Sequence, residues 1–105
     1  MLVKLRILGI DYDVAFMDSD LTGLANVNDA GKCYNTLTRI VISMDQSIAY
    51  QKCVLLHEII EALDYRLELE LRHNQITSLE SGLFQVFRDN PGLIQLFLMD
   101  ESNTK

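Results

Sequence analysis

Cys53-Val-Leu-Leu-His57-Glu58-Ile-Ile-Glu61-Ala-Leu63 is the stretch on which the reading of this chain turns. It contains no Gly or Pro, and its apolar residues fall on nearly every side of a helical wheel. A helix tolerates that pattern only when other elements cover most of it. No Gly or Pro interrupts the chain between Asp45 and Gly82, and Ser43 or Asp45 can cap a helix start, so a long central helix is predicted over Gln46 to about Glu70. Downstream, a second helix is predicted from His73 or Asn74 to Asp89, with Ile76, Leu79, Leu83, Val86 and Phe87 as its apolar stripe. Asn90-Pro91-Gly92 ends it, and Leu93 to Met99 reads as one or two further helical turns.

Upstream of the central helix the periodicity changes from helical to alternating. Residues 2 to 8 alternate as a half-buried strand, Gly9-Ile10-Asp11 turns the chain, and Tyr12 to Met17 returns as the second arm of a hairpin. Leu21 to Val27 is a weak third strand, Asn28-Asp-Ala-Gly31 a turn, and Thr38 to Ser43 a strand rich in β-branched residues. The expected architecture is a single α+β domain over residues 1–105: a small antiparallel sheet of three to four strands in 1–43, a helical part in 45–99 and a frayed tail in 100–105.

Composition bounds the function. A chain of 105 residues has room for one core, and its formal charge of −6 opposes binding to a phosphate backbone, so nucleic acid is not an expected ligand. Two cysteines, Cys33 and Cys53, are too few for a disulfide framework, and Cys53 reads as core. No apolar run reaches the length of a membrane span, and no secretory segment is visible, so a cytoplasmic protein with no membrane contact is expected.

The chemistry lies on the central helix. His57 and Glu61 are four residues apart and share one face, so both can reach one small cation, and imidazole with carboxylate suits a divalent metal such as zinc. Glu58 stands about 100° round the helix from His57, beside the metal position, where a carboxylate can act as general base. Asp64 lies on the same face but about 10.5 Å along the axis from His57, so it is expected behind the ligands. His73, after the helix ends, is the expected third ligand once the chain reverses. The alternative is an acidic, solvated helix face with incidental histidines. The surrounding Leu55, Leu56, Ile59, Ile60 and Leu63 weigh against it, because an unneutralised carboxylate among them would be costly. Tyr50 and Tyr65 are expected to pack.

The order of a small sheet, the strand Thr38-Arg-Ile-Val-Ile-Ser, the helix carrying Leu56-His57-Glu58-Ile59-Ile60-Glu61-Ala62-Leu63, and the segment Leu79 to Pro91 resembles small zincin-like proteins of bacterial prophages, related to the ImmA/IrrE metallopeptidases. The likeness runs from about Leu5 to Pro91. In that family the helix carries HExxH; here Glu61 stands in place of the second His. The resemblance implies His57 as a ligand, Glu58 as the base, His73 as the downstream ligand, and peptide hydrolysis with an extended substrate along a sheet edge such as Leu21 to Val27. A carboxylate at Glu61 lowers the Lewis acidity of the metal, so hydrolysis is expected to be weak or lost. The competing expectations are a non-catalytic phage-derived module that holds another protein, and a purely structural domain.

Overall fold

The computed structural model describes residues 2–18 and 30–99. The fold class is α+β: four strands followed by two long helices and a short one. Strand β1 spans Leu2–Ile7, β2 Ile10–Met17, β3 Gly31–Tyr34 and β4 Arg39–Ser43, with a 3₁₀ turn at Asn35–Leu37 between β3 and β4. Helix α1 spans Ile48–Leu67, α2 His73–Asp89 and α3 Leu93–Leu98. The expected strand Leu21 to Val27 lies outside the described residues, as does the tail from residue 100.

The sheet is mixed, not wholly antiparallel. Its order is β1-β2-β4-β3, with β2 and β4 parallel and the other two pairings antiparallel. The physical reason is in β4 itself. Ile40, Val41 and Ile42 are at most 1 % exposed, so both faces of the strand are covered and it must lie inside the sheet. A meander would leave it at the edge. The β1–β2 hairpin turns at Leu8–Gly9, both at positive φ, one residue earlier than the expected Gly9–Asp11 turn. As an edge strand, β1 shows the half-buried alternation, with Leu2, Lys4 and Arg6 exposed and Leu5 and Ile7 turned inward; Val3, expected on the inner face, is exposed.

α1 packs against the sheet through Val54 and Ala62, which join Ile7, Tyr12, Val14, Ile40 and Ile42 in the core, with Leu55, Ile59 and Leu63 packed against them. Gly31 explains how close β3 can come. A Cβ at that position would stand 2.6 Å from Val54 Cγ1 and 2.9 Å from the Val41 carbonyl oxygen. Only glycine lets the strand lie under the helix there. An interlocked polar group closes the far end. Arg66 donates from Nε to the Tyr12 hydroxyl (3.0 Å) and from Nη2 to the Asn35 carbonyl (2.8 Å), and the Tyr12 hydroxyl donates to Asn35 Oδ1 (2.8 Å).

α1 is shorter at both ends than Gln46 to Glu70. Ser47, not Ser43 or Asp45, is the cap, its side chain accepting from the Tyr50 N–H, and Glu68 ends the helix in the left-handed region. Among the described residues no helix is long and apolar enough to cross a membrane.

Candidate metal centre

The reversal after α1 builds the site. Glu68 and Glu70 both hold positive φ, 53° and 59°, a conformation that costs a side-chain-bearing residue about 1 kcal/mol or more. The Asp64 carbonyl accepts from Leu69 N–H (3.1 Å), and the Asp64 carboxylate accepts from Leu71 N–H (2.9 Å). Asp64 therefore holds the turn through its carboxylate instead of standing behind the ligands. α2 starts at His73, where Gln75 Oε1 accepts from the Arg72 N–H at 2.8 Å. The turn thus returns His73 to the His57 side of α1, and the two imidazole centroids are 5.6 Å apart.

His57, Glu61 and His73 can each offer one ligand atom such that all three atoms lie within 4.8 Å of one another. His57 Nε2 is 3.5 Å from Glu61 Oε1. Its other nitrogen, Nδ1, is 2.8 Å from Glu80 Oε1. A carboxylate accepts and does not donate, so this bond places a proton on Nδ1 and turns Nε2 toward Glu61 and His73. Histidines that ligate metals are characteristically held this way, by an acceptor on the distal nitrogen. Two imidazoles with one carboxylate are also a known donor set for catalytic zinc.

Glu80 is absent from the sequence reading, yet it left a signal. It lies four residues after Ile76 and four before Phe84, an acid in the middle of an apolar row on α2. Its target is 23 residues away, so only the tertiary fold shows what the acid does.

Glu58 is buried, at 4 % exposure, and its Oε1 is the buried side-chain polar atom that lacks a hydrogen-bond partner among the described residues. Burial pushes its carboxyl up to about 9, helped by the charge of Glu61, a hydrogen bond with it, and the charge of Glu80; the Cys33 backbone N–H pulls the other way. Burial likewise pushes the Cys33 thiol up to about 12, with Glu58 and Glu61 adding to it and Arg66 opposing. Glu61 and Glu80 thus flank the two nitrogens of His57, with the Glu58 carboxyl held protonated beside them. His57, Glu58, His73 and Glu80, though not Glu61, line a cleft of about 400 Å³ together with Gly31 and Tyr50. Tyr50 is therefore at the cleft wall, not in the core, while Tyr65 carries the Arg66 guanidinium over its ring at 5.1 Å. Cys53 is half-buried on α1 and, like Cys33, a free thiol.

The donor set, the orienting Glu80 and the orphaned Glu58 oxygen fit a divalent cation at His57, Glu61 and His73. Comparison with protein-family models, curated proteins and solved structures finds no significant match, so the geometry stands without a relative to name it.

Proposed function

We propose that this chain binds one divalent metal, zinc foremost, through His57, Glu61 and His73, and that it hydrolyses peptide bonds with Glu58 as general base. The observation that carries the reading is the convergence of those three ligand atoms within 4.8 Å, with His57 already oriented by Glu80. A dication held there supplies Lewis acidity, acidifying water and polarising a carbonyl. The residues supply the rest. A cation's positive charge would favour the ionised form of the Glu58 carboxyl, which burial otherwise keeps protonated; so ionised, Glu58, at the wall of the cleft, takes a proton from the attacking water and passes it to the leaving amine. Glu80 keeps the His57 ring from rotating. Glu61 supplies the carboxylate of a two-imidazole, one-carboxylate donor set, in place of the second His of HExxH. Beside the site, β3 is one of the two edge strands among the described residues, and its Gly31 lines the cleft, so a peptide drawn along that edge would run past Glu58.

The test is hydrolysis of a quenched-fluorescent peptide library by chelator-stripped protein reloaded with zinc. The reading expects cleavage that falls at least about 100-fold in Glu58→Gln, which still binds zinc. Cleavage unchanged in that variant contradicts the assigned base. A zinc-loaded chain without hydrolysis leaves a metal-binding protein that is not a peptidase.

A further inference from the structure

The polar wall of the cleft has one chemical character. It is made by Tyr50, His57, Glu58, His73, Thr77 and Glu80, and among the described residues no Lys or Arg lines it. The imidazoles are committed: His57 Nδ1 gives its proton to Glu80 Oε1 at 2.8 Å, and the ligand group takes the Nε2 side together with His73. Every polar side chain left to meet a ligand can accept a hydrogen bond. Glu58 and Glu80 are carboxyls, and the hydroxyls of Tyr50 and Thr77 accept as readily as they donate. A ligand suited to this wall brings donors.

Two oxygens on that wall lack a donor among the described residues. Glu58 is 4 % exposed with its Oε1 unpartnered, so the cleft is completed by something the chain does not supply. Glu80 spends Oε1 on His57 and has no described partner for Oε2. Its ion-pair neighbour is that same ring, which is neutral when Nε2 is free to ligate, so no described cation of the chain balances the Glu80 charge. A carboxylate so placed is best satisfied by a charged donor. An ammonium brings three N–H groups, enough for Glu80 and a neighbouring hydroxyl, and the ring face of Tyr50 attracts the same charge. The formal charge of −6 draws such a ligand toward the chain. Glu80 is one imidazole ring removed from the Nε2 that faces Glu61, so a group it binds belongs to a residue close to the bond being cleaved. Taking the peptidase reading above as given, we infer that the substrate carries an ammonium, an α-amine or a lysine side chain, beside the scissile bond, and that Glu80 binds it through the oxygen not given to His57.

Isothermal titration of hydroxamates into the full chain at saturating zinc tests this without requiring turnover. Alanine hydroxamate is compared with its N-acetyl derivative, and the hydroxamate of Nα-acetyl-lysine with that of Nα-acetyl-norleucine, so the two pairs distinguish an α-amine from a side-chain ammonium. In at least one pair the charged member is expected to bind about tenfold or more tighter than its uncharged match, and the preference to fall below about threefold in Glu80→Gln, which keeps an amide oxygen for His57. Taking the ratio within each pair removes any change of zinc affinity in that variant. Equal binding within both pairs, a preference that survives Glu80→Gln, or zinc uptake with no hydroxamate bound overturns the inference and leaves the metal site standing. A chain that takes up no zinc, read in a separate zinc titration, overturns both.

Discussion

Between β2 and β4 the side chains of Val14, Ile40, Val41 and Ile42 lose nearly all contact with water, whereas α3 and the outer flank of α2 leave Leu and Phe side chains facing it. Both regions carry short apolar runs, Ile40–Ile42 in β4 and Leu93–Leu98 in α3, so such a run does not by itself say whether it is covered. What separates them is coverage: the sheet has α1 on it, and among the described residues α2 meets α1 along a row that includes His73, Ile76 and Glu80. The candidate metal centre lies at that junction. One set of ligands stands on the rigid α1, braced by the core, and the other groups, His73 and Glu80, stand on a helix whose attachment to the core is narrow. A cation shared by α1 and α2 would therefore do structural as well as chemical work, clamping the less covered helix to the better covered one.

Substitutions can widen or erase that contrast. Ile42→Ala removes a fully buried side chain from the sheet and is expected to cost about 2–5 kcal/mol in chemical denaturation, while Leu98→Ala on α3 should stay within about 0.5 kcal/mol. Comparable losses at the two positions would mean that α3 is packed against the core after all. Gly31→Ala forces a methyl group to within 2.6 Å of Val54 Cγ1 and is expected to cost about 1–3 kcal/mol and to shift the β3 resonances in a heteronuclear NMR spectrum. An unchanged spectrum would show that β3 does not rest on α1.

The pH response of the metal-free chain sharpens the contrast at the junction. Glu58 holds its proton up to about 9 in the folded chain but releases it near the ordinary carboxylate value when unfolded, so between those values the folded state binds more protons. Its contribution to stability is full below the unfolded value, declines as pH rises, and is gone above about 9. Glu58→Gln should therefore flatten the fall in denaturation midpoint from pH 5 to pH 9 relative to wild type. Parallel profiles for the two proteins would place the Glu58 carboxyl in water.

Much of this was open to reading from the sequence, for local reasons. The run Ile40-Val-Ile42 marks a strand by its β-branched side chains, the stretch around His57 marks a covered helix, and the i, i+4 spacing of His57 and Glu61 fixes their shared face without any tertiary knowledge. Non-local features were hidden. That β4 inserts between β2 and β3 depends on pairings across the whole sheet. Gly31 looks like part of a turn because its role, admitting Val54, is set 23 residues away. The Glu80–His57 bond and the Arg66–Asn35–Tyr12 group are likewise invisible to periodicity. The stripe on α2 was legible as apolar but not as uncovered, because amphipathicity says that a face seeks a partner and not which one.

The central claim is that His57, Glu61 and His73 together hold one cation. Isothermal titration of chelator-stripped protein with zinc tests it most directly. The account predicts one zinc per chain, affinity reduced at least about 100-fold in His57→Ala and in His73→Ala, and by about 10–100-fold in Glu80→Gln, where the orienting acceptor is weakened. Zinc bound with equal affinity by wild type and His57→Ala, or no binding by the wild-type chain, would contradict it.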